Sequence, residues 1–145
     1  MRRFVFRFDA VKRQREAMLD AAKGGLAELA ARHARAAEHL ADRRAALAAT
    51  AADGPRAGVG FDPRRERIRQ LHLQALRDEI TRAEEALTRL DAELSAAREK
   101  VAEAHRRLRA IEVLEERDRE LWRAEAAREE QKAADERSAQ RFGRD

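Results

Sequence analysis

Between Leu73 and Ile111 the apolar residues fall on two interleaved rows. Leu73, Ile80, Leu87, Leu94, Val101 and Leu108 stand seven apart, and Leu76, Ala83, Leu90, Ala97, Ala104 and Ile111 repeat that spacing three residues behind each. A heptad with two apolar positions is the a/d seam of a coiled coil: a long helix that needs another helix along one narrow stripe. Acid-to-base pairs four residues apart, Asp78 to Arg82, Glu85 to Arg89 and Glu103 to Arg107, add local support of about 0.2–0.5 kcal/mol each.

Composition agrees with a seam rather than a globule. Of 145 residues, 41% are charged, and the chain contains only 6 Gly and 2 Pro. Apolar residues lie along a line, so the expectation is a rod with little interior and no pocket able to desolvate an active site. Cysteine is absent, which removes disulfides and thiolate metal sites. No apolar run approaches the ~18 residues of a membrane span. The opening Met1-Arg2-Arg3-Phe4-Val5-Phe6-Arg7-Phe8-Asp9 lacks the apolar core of a secretory signal, so a cytoplasmic location is expected. A net charge of +4 hints at acidic partners, but 32 basic and 28 acidic residues are interleaved and leave no single-sign field.

In chain order, Phe4, Phe6 and Phe8 alternate with Val5, Arg7 and Asp9. No second strand exists to pair with them, so an extended or helical lead-in is expected, with Asp9 as helix N-cap. From about residue 9 to 52 a second seam follows. Leu19, Leu26, His33, Leu40 and Leu47 make one row, and Ala22, Leu29 and Ala36 the other, with Arg15, Arg43 and Thr50 in register. Gly24-Gly25 lies inside it, a weak or bent point, or a hinge, at about 1 kcal/mol per Gly against Ala.

The stretch 53–62 is the one break. Gly54-Pro55 stops a helix, and Asp62-Pro63 starts another with Pro at its first position. Two seams joined by one turn predict an all-α, antiparallel two-helix coiled-coil hairpin within a single domain. The first helix spans about 9–52 and the longer second one about 63–138.

Folding about that loop puts Ala10 level with Val101–Leu108, so about thirty C-terminal residues project, with fraying expected beyond Gln131. Past Ile111 a strict seam would bury Glu115 and Asp118. Apolar residues stand instead at Leu114, Leu121 and Trp122, and a seam slip is expected there. Trp122, the only Trp, either packs on the Phe4–Phe8 lead-in or anchors another protein.

Motifs for chemistry are missing. His33, His39, His72 and His105 make no i,i+4 pair or HExxH arrangement, so no metal site is expected. Gly58-Val59-Gly60 lacks the strand and the Lys-Ser/Thr of a phosphate loop. Carboxylates lie on solvated faces where nothing tunes them for acid catalysis. Arg2-Arg3, Arg64-Arg65 and Arg106-Arg107 are scattered, unlike the basic block that precedes a DNA-binding zipper. Neither catalysis, a cofactor nor nucleic-acid binding is expected.

The ends carry a resemblance. Phe4-Val5-Phe6-Arg7-Phe8-Asp9-Ala10-Val11-Lys12-Arg13-Gln14-Arg15-Glu16 resembles the opening of the FliJ family of flagellar export proteins, commonly F-x-F-R-L-x-x-V-L-x-x-R-E. The stretch from Arg128 to Phe142 is similar to its charged ending, R-x-E-Q-K-x-x-D-E-x-A-x-R-R-F. Phe8 and Lys12 depart from the usual leucines and Gln140 from Arg.

The resemblance implies a non-enzymatic stalk and escort component of the flagellar type III export apparatus. It would bind and regulate the export ATPase ring and link it to the export gate membrane protein and export chaperones. It would sit in the cytoplasm, peripheral to the inner membrane through its partners alone. On that basis Phe4, Phe6, Val11 and Arg15, with Gln131, Lys132, Asp135 and Glu136, form an ATPase-facing group, and Trp122 is a further partner-binding candidate. The alternatives are the stalk protein of a virulence-type secretion system and a self-associating structural coiled-coil adaptor.

Overall fold

A computed structural model describes residues 3–56 and 60–143. Arg2, Gly58 and Val59, on which parts of the sequence analysis fall, lie outside the described residues. Two helices account for nearly all of it: α1, Asp9–Ala52, and α2, Pro63–Phe142. There is no strand among the described residues. The fold is all-α with the second helix the longer, in agreement with the two seams. Contacts divide it into two compact units, one of Met1–Ala21 with Ala102–Asp145 and one of Ala22–Val101.

In the Ala22–Val101 unit the helices pair antiparallel, since partners on α2 fall in number as those on α1 rise. Arg32 faces Glu93 at 4.0 Å, His33 Nε2 lies 2.6 Å from Asp91 Oδ1, Arg43 faces Glu79 at 3.4 Å and Arg44 faces Glu84 at 2.8 Å. Between them run Leu40, Leu73, Leu76, Ala83, Leu94 and Ala97, all buried, with Leu76 at 2% exposure the deepest. Every other seam position named above within this unit is at least half-buried, His33, Arg43 and Thr50 included. The alanine-rich α1 row therefore works because leucines of α2 fill the space that its small side chains leave.

The turn end is held by polar groups. Asp62 Oδ1 accepts from the Arg64 amide at 2.9 Å, the N-cap that Asp62-Pro63 called for. Glu66 and Arg69 stand one heptad before Leu73 and Leu76, so they occupy the a and d positions where the apolar seam has yet to begin. Arg69 donates to Glu66 Oε1 at 2.6 Å and Oε2 at 3.0 Å, and its Nη1 reaches the Thr50 carbonyl at 3.4 Å, an orphan acceptor in the last turn of α1. These bonds, with one from Gln70 at 2.9 Å, pull the Glu66 carboxyl down to about 2.

In the other unit Lys12 Nζ meets Glu115 Oε2 at 2.6 Å. That contact corrects two expectations. Ala10 was placed level with Val101–Leu108, yet its neighbour Lys12 pairs seven residues beyond Leu108. The Lys12–Glu115 ion pair sets that register.

The slip of the seam after Ile111 does not occur. Leu114 and Leu121 are exposed, at 40% and 63%, while the strict heptad positions Glu115, Asp118 and Trp122 are half-buried. Glu115 is tolerated there because Lys12 and Arg119, the latter at 3.0 Å, neutralise it. Lys12 holds the Glu115 carboxyl below its usual range, and Glu115 in turn raises Lys12.

Two smaller corrections concern the helix ends. Asp9 lies in the first turn with its carboxylate 2.8 Å from Arg13, and the Phe8 carbonyl accepts from the Lys12 amide at 2.9 Å. The carboxylate still sits at the favourable end of the helix dipole. Nor does α2 fray after Gln131. It is helical to Phe142, with Gln131 donating to Asp135 at 2.9 Å and Arg137 to the Ala133 carbonyl at 2.9 Å. Ala, Glu, Gln, Arg and Lys dominate that stretch and are strong helix formers without any partner. α1 likewise runs unbroken through Gly24-Gly25.

Candidate partner-binding surface

Residues 3–6 carry no regular secondary structure and end in a turn at residues 7–8, closed by the Asp9 amide donating to the Phe6 carbonyl at 3.2 Å. Alternation sorts their side chains: Phe4 and Phe6 face the protein, Val5 and Arg7 face solvent. The period-two pattern thus marks an extended strap rather than a strand in a sheet. Phe6 is buried, packed edge-on against Phe8 at 5.8 Å between centroids. Phe4 meets the indole of Trp122 edge to face, 6.1 Å between centroids, and the Arg119 guanidinium lies 5.3 Å from the Phe4 ring centre. Of the two readings of Trp122, the packed one is what the structure shows.

The partner-binding candidates therefore separate. Phe4, Phe6 and Trp122 come together, and Val11 and Arg15 are half-buried at the start of α1. Gln131, Lys132, Asp135 and Glu136 are exposed, and Gln131 stands nine residues beyond Trp122, roughly 13 Å along the helix. The structure does not join the two sets into one patch. It presents an aromatic clasp that is already occupied and a charged helical extension that is open to solvent.

Sequence reasoning missed the exposed apolar side chains beside the clasp. Val5 is 79% exposed, and Leu114 and Leu121 form a short stripe one residue ahead of the seam. Their seven-residue spacing is the available signal, and it mimics the seam itself. In the Ala22–Val101 unit, Ile68 and Leu71 are exposed on the outer face of the start of α2 and Phe61 is exposed just before it, and Phe61 and Ile68 line an open recess with Pro55, Arg65 and His72. Ile68 and Leu71 sit at c and f heptad positions, where apolar residues have no seam to serve.

No group of three His, Cys, Asp or Glu is placed to hold a metal ion among the described residues. No helix among them is long and apolar enough to cross a membrane. What the surface does present is exposed apolar residues among paired charges on helices.

A family model described as Flagellar FliJ protein matches residues 4–145. Comparison with curated proteins and with solved structures returned no match.

Proposed function

Because this chain belongs to the FliJ family, whose members are non-catalytic components of flagellar export, we propose that it is a stalk and escort protein of that apparatus. In this reading it binds the export ATPase ring, modulates its turnover, and links the ring to the export gate and export chaperones. The observation that supports it is the C-terminal stretch of α2 after Trp122. It is helical to Phe142 and, apart from half-buried Ala126 and Ala134, exposed. A helix of that kind carries charge and shape into a partner without first having to fold, so binding forfeits little ordering entropy. Gln131, Lys132, Asp135 and Glu136 are its contact residues. Phe4, Phe6 and Trp122 hold the α2 turns from which it projects.

Turnover of the cognate export ATPase is the test. Full-length protein at stoichiometric excess changes the rate, and Lys132→Glu with Asp135→Lys, both at exposed positions, abolishes the change while leaving helicity intact. No binding and no rate change with the unmodified chain overturns the reading.

A further inference from the structure

We propose that residues 3–8 are a releasable latch over Trp122, one that opens while both helices stay folded. The proposal stands on the Met1–Ala21 and Ala102–Asp145 unit alone and does not depend on the identity of any partner.

The strap is attached to α2 through side chains. Phe4 sits against Trp122, Arg119 lies over Phe4, and Phe6 is buried. Its backbone bonds are local instead: the Asp9 amide to the Phe6 carbonyl and the Lys12 amide to the Phe8 carbonyl. Release therefore breaks no hydrogen-bond ladder. The turns of α2 beneath it, around Arg119 and Trp122, keep their own helical bonds whether or not the strap is down.

Release also has a natural stopping point. From Lys12 onward α1 is tied by the ion pair to Glu115 at 2.6 Å and then by buried Leu19. The forces on the strap oppose one another closely. One buried and two half-buried rings favour closure, while six backbones lose their freedom. Segments with few buried contacts and local bonding are those that open below the global transition.

Opening uncovers the Trp122 indole and frees Phe4 and Phe6 beside Leu121 and Leu114, which are exposed already. Any protein that takes up Trp122 must compete with Phe4 for it. The strap thus sets how available that face is.

The single Trp reports on this directly. Acrylamide quenching of Trp122 is followed against temperature in the full-length chain, alongside ellipticity at 222 nm. A half-buried indole that opens roughly doubles its accessible face, so the quenching constant rises about twofold before helicity falls. Phe4→Ala with Phe6→Ala shows the raised constant already at low temperature, with ellipticity unchanged. Coincident fluorescence and helix transitions in the unmodified chain overturn the proposal, and they do so even where the double variant fails to fold. Equal quenching in a folded double variant and the parent overturns it as well.

Discussion

Replacing Leu76 by Ala separates a seam position from an apolar residue that merely resembles one. Leu76 is 2% exposed, whereas Leu121, on the same helix, is 63% exposed. Truncation at Leu76 removes about three buried carbons at ~0.8 kcal/mol each, near 2.4 kcal/mol before any cavity term. Large-to-small changes at fully buried leucines span about 2–5 kcal/mol. In the Ala22–Val101 unit only one helix faces the site, so the walls can close on the gap, and the lower part of that range, ~2–3 kcal/mol, is expected. Leu121→Ala removes side-chain surface that is mostly in water and stays within about 0.5 kcal/mol of the parent.

Urea unfolding monitored at 222 nm measures both differences. The m-value is inspected first, because two compact units need not unfold as one transition. The reasoning is refuted if Leu121→Ala is as costly as Leu76→Ala, since the seam would then run through Leu114 and Leu121. A Leu76→Ala penalty under about 0.5 kcal/mol would refute it equally.

The other two perturbations act on charge and on backbone. The Glu66 carboxyl is depressed to about 2, so its stabilisation is complete above its ordinary value of 4.5 and drains away as pH falls toward 2. Glu66→Gln therefore lowers the melting temperature at pH 7, and the two curves converge near pH 2; a constant gap across that range would show that Glu66 does not titrate against Arg69. At Gly24 and Gly25 an added Cβ meets nothing within 4 Å, so these glycines do not serve close packing. Gly24→Ala and Gly25→Ala each raise stability by about 1 kcal/mol in urea titrations, and a loss would show that α1 needs to bend there.

Most of the architecture was legible because a heptad seam states its requirement in full. Residue types at two positions in seven determine a helix, its face and the need for a partner. Legibility failed at Glu115, where an acid on the seam was read as the end of the seam. A single helix cannot reveal that the residue opposite is Lys12. It failed again at Leu114 and Leu121, because an apolar pair spaced by seven looks the same on either side of a heptad boundary. The clasp was half legible: alternating Phe4, Phe6 and Phe8 announced an extended segment, and Trp122 announced itself by being alone, but their meeting depends on the register that Lys12 takes against Glu115.

Register is what apolar residues alone leave undecided. Sliding one helix past the other by seven returns leucines to leucines, so the choice falls to the polar residues between them. In the Ala22–Val101 unit, a slide toward the start of α2 sets Arg44 against Arg77 and Arg43 against His72. A slide the other way sets His33 against Arg98 and Arg32 against Lys100. The observed register places all four of these basic residues against acids: Glu93, Asp91, Glu79 and Glu84. In the other unit the same slides would set Lys12 against Leu108 or Trp122, stranding a charge on an apolar side chain where Glu115 now receives it at 2.6 Å. The pairs of the Ala22–Val101 unit are exposed enough to add little stability, yet each wrong register brings like charges together or leaves a cation without an acid. The seam makes these helices pair, and the charges along it decide where.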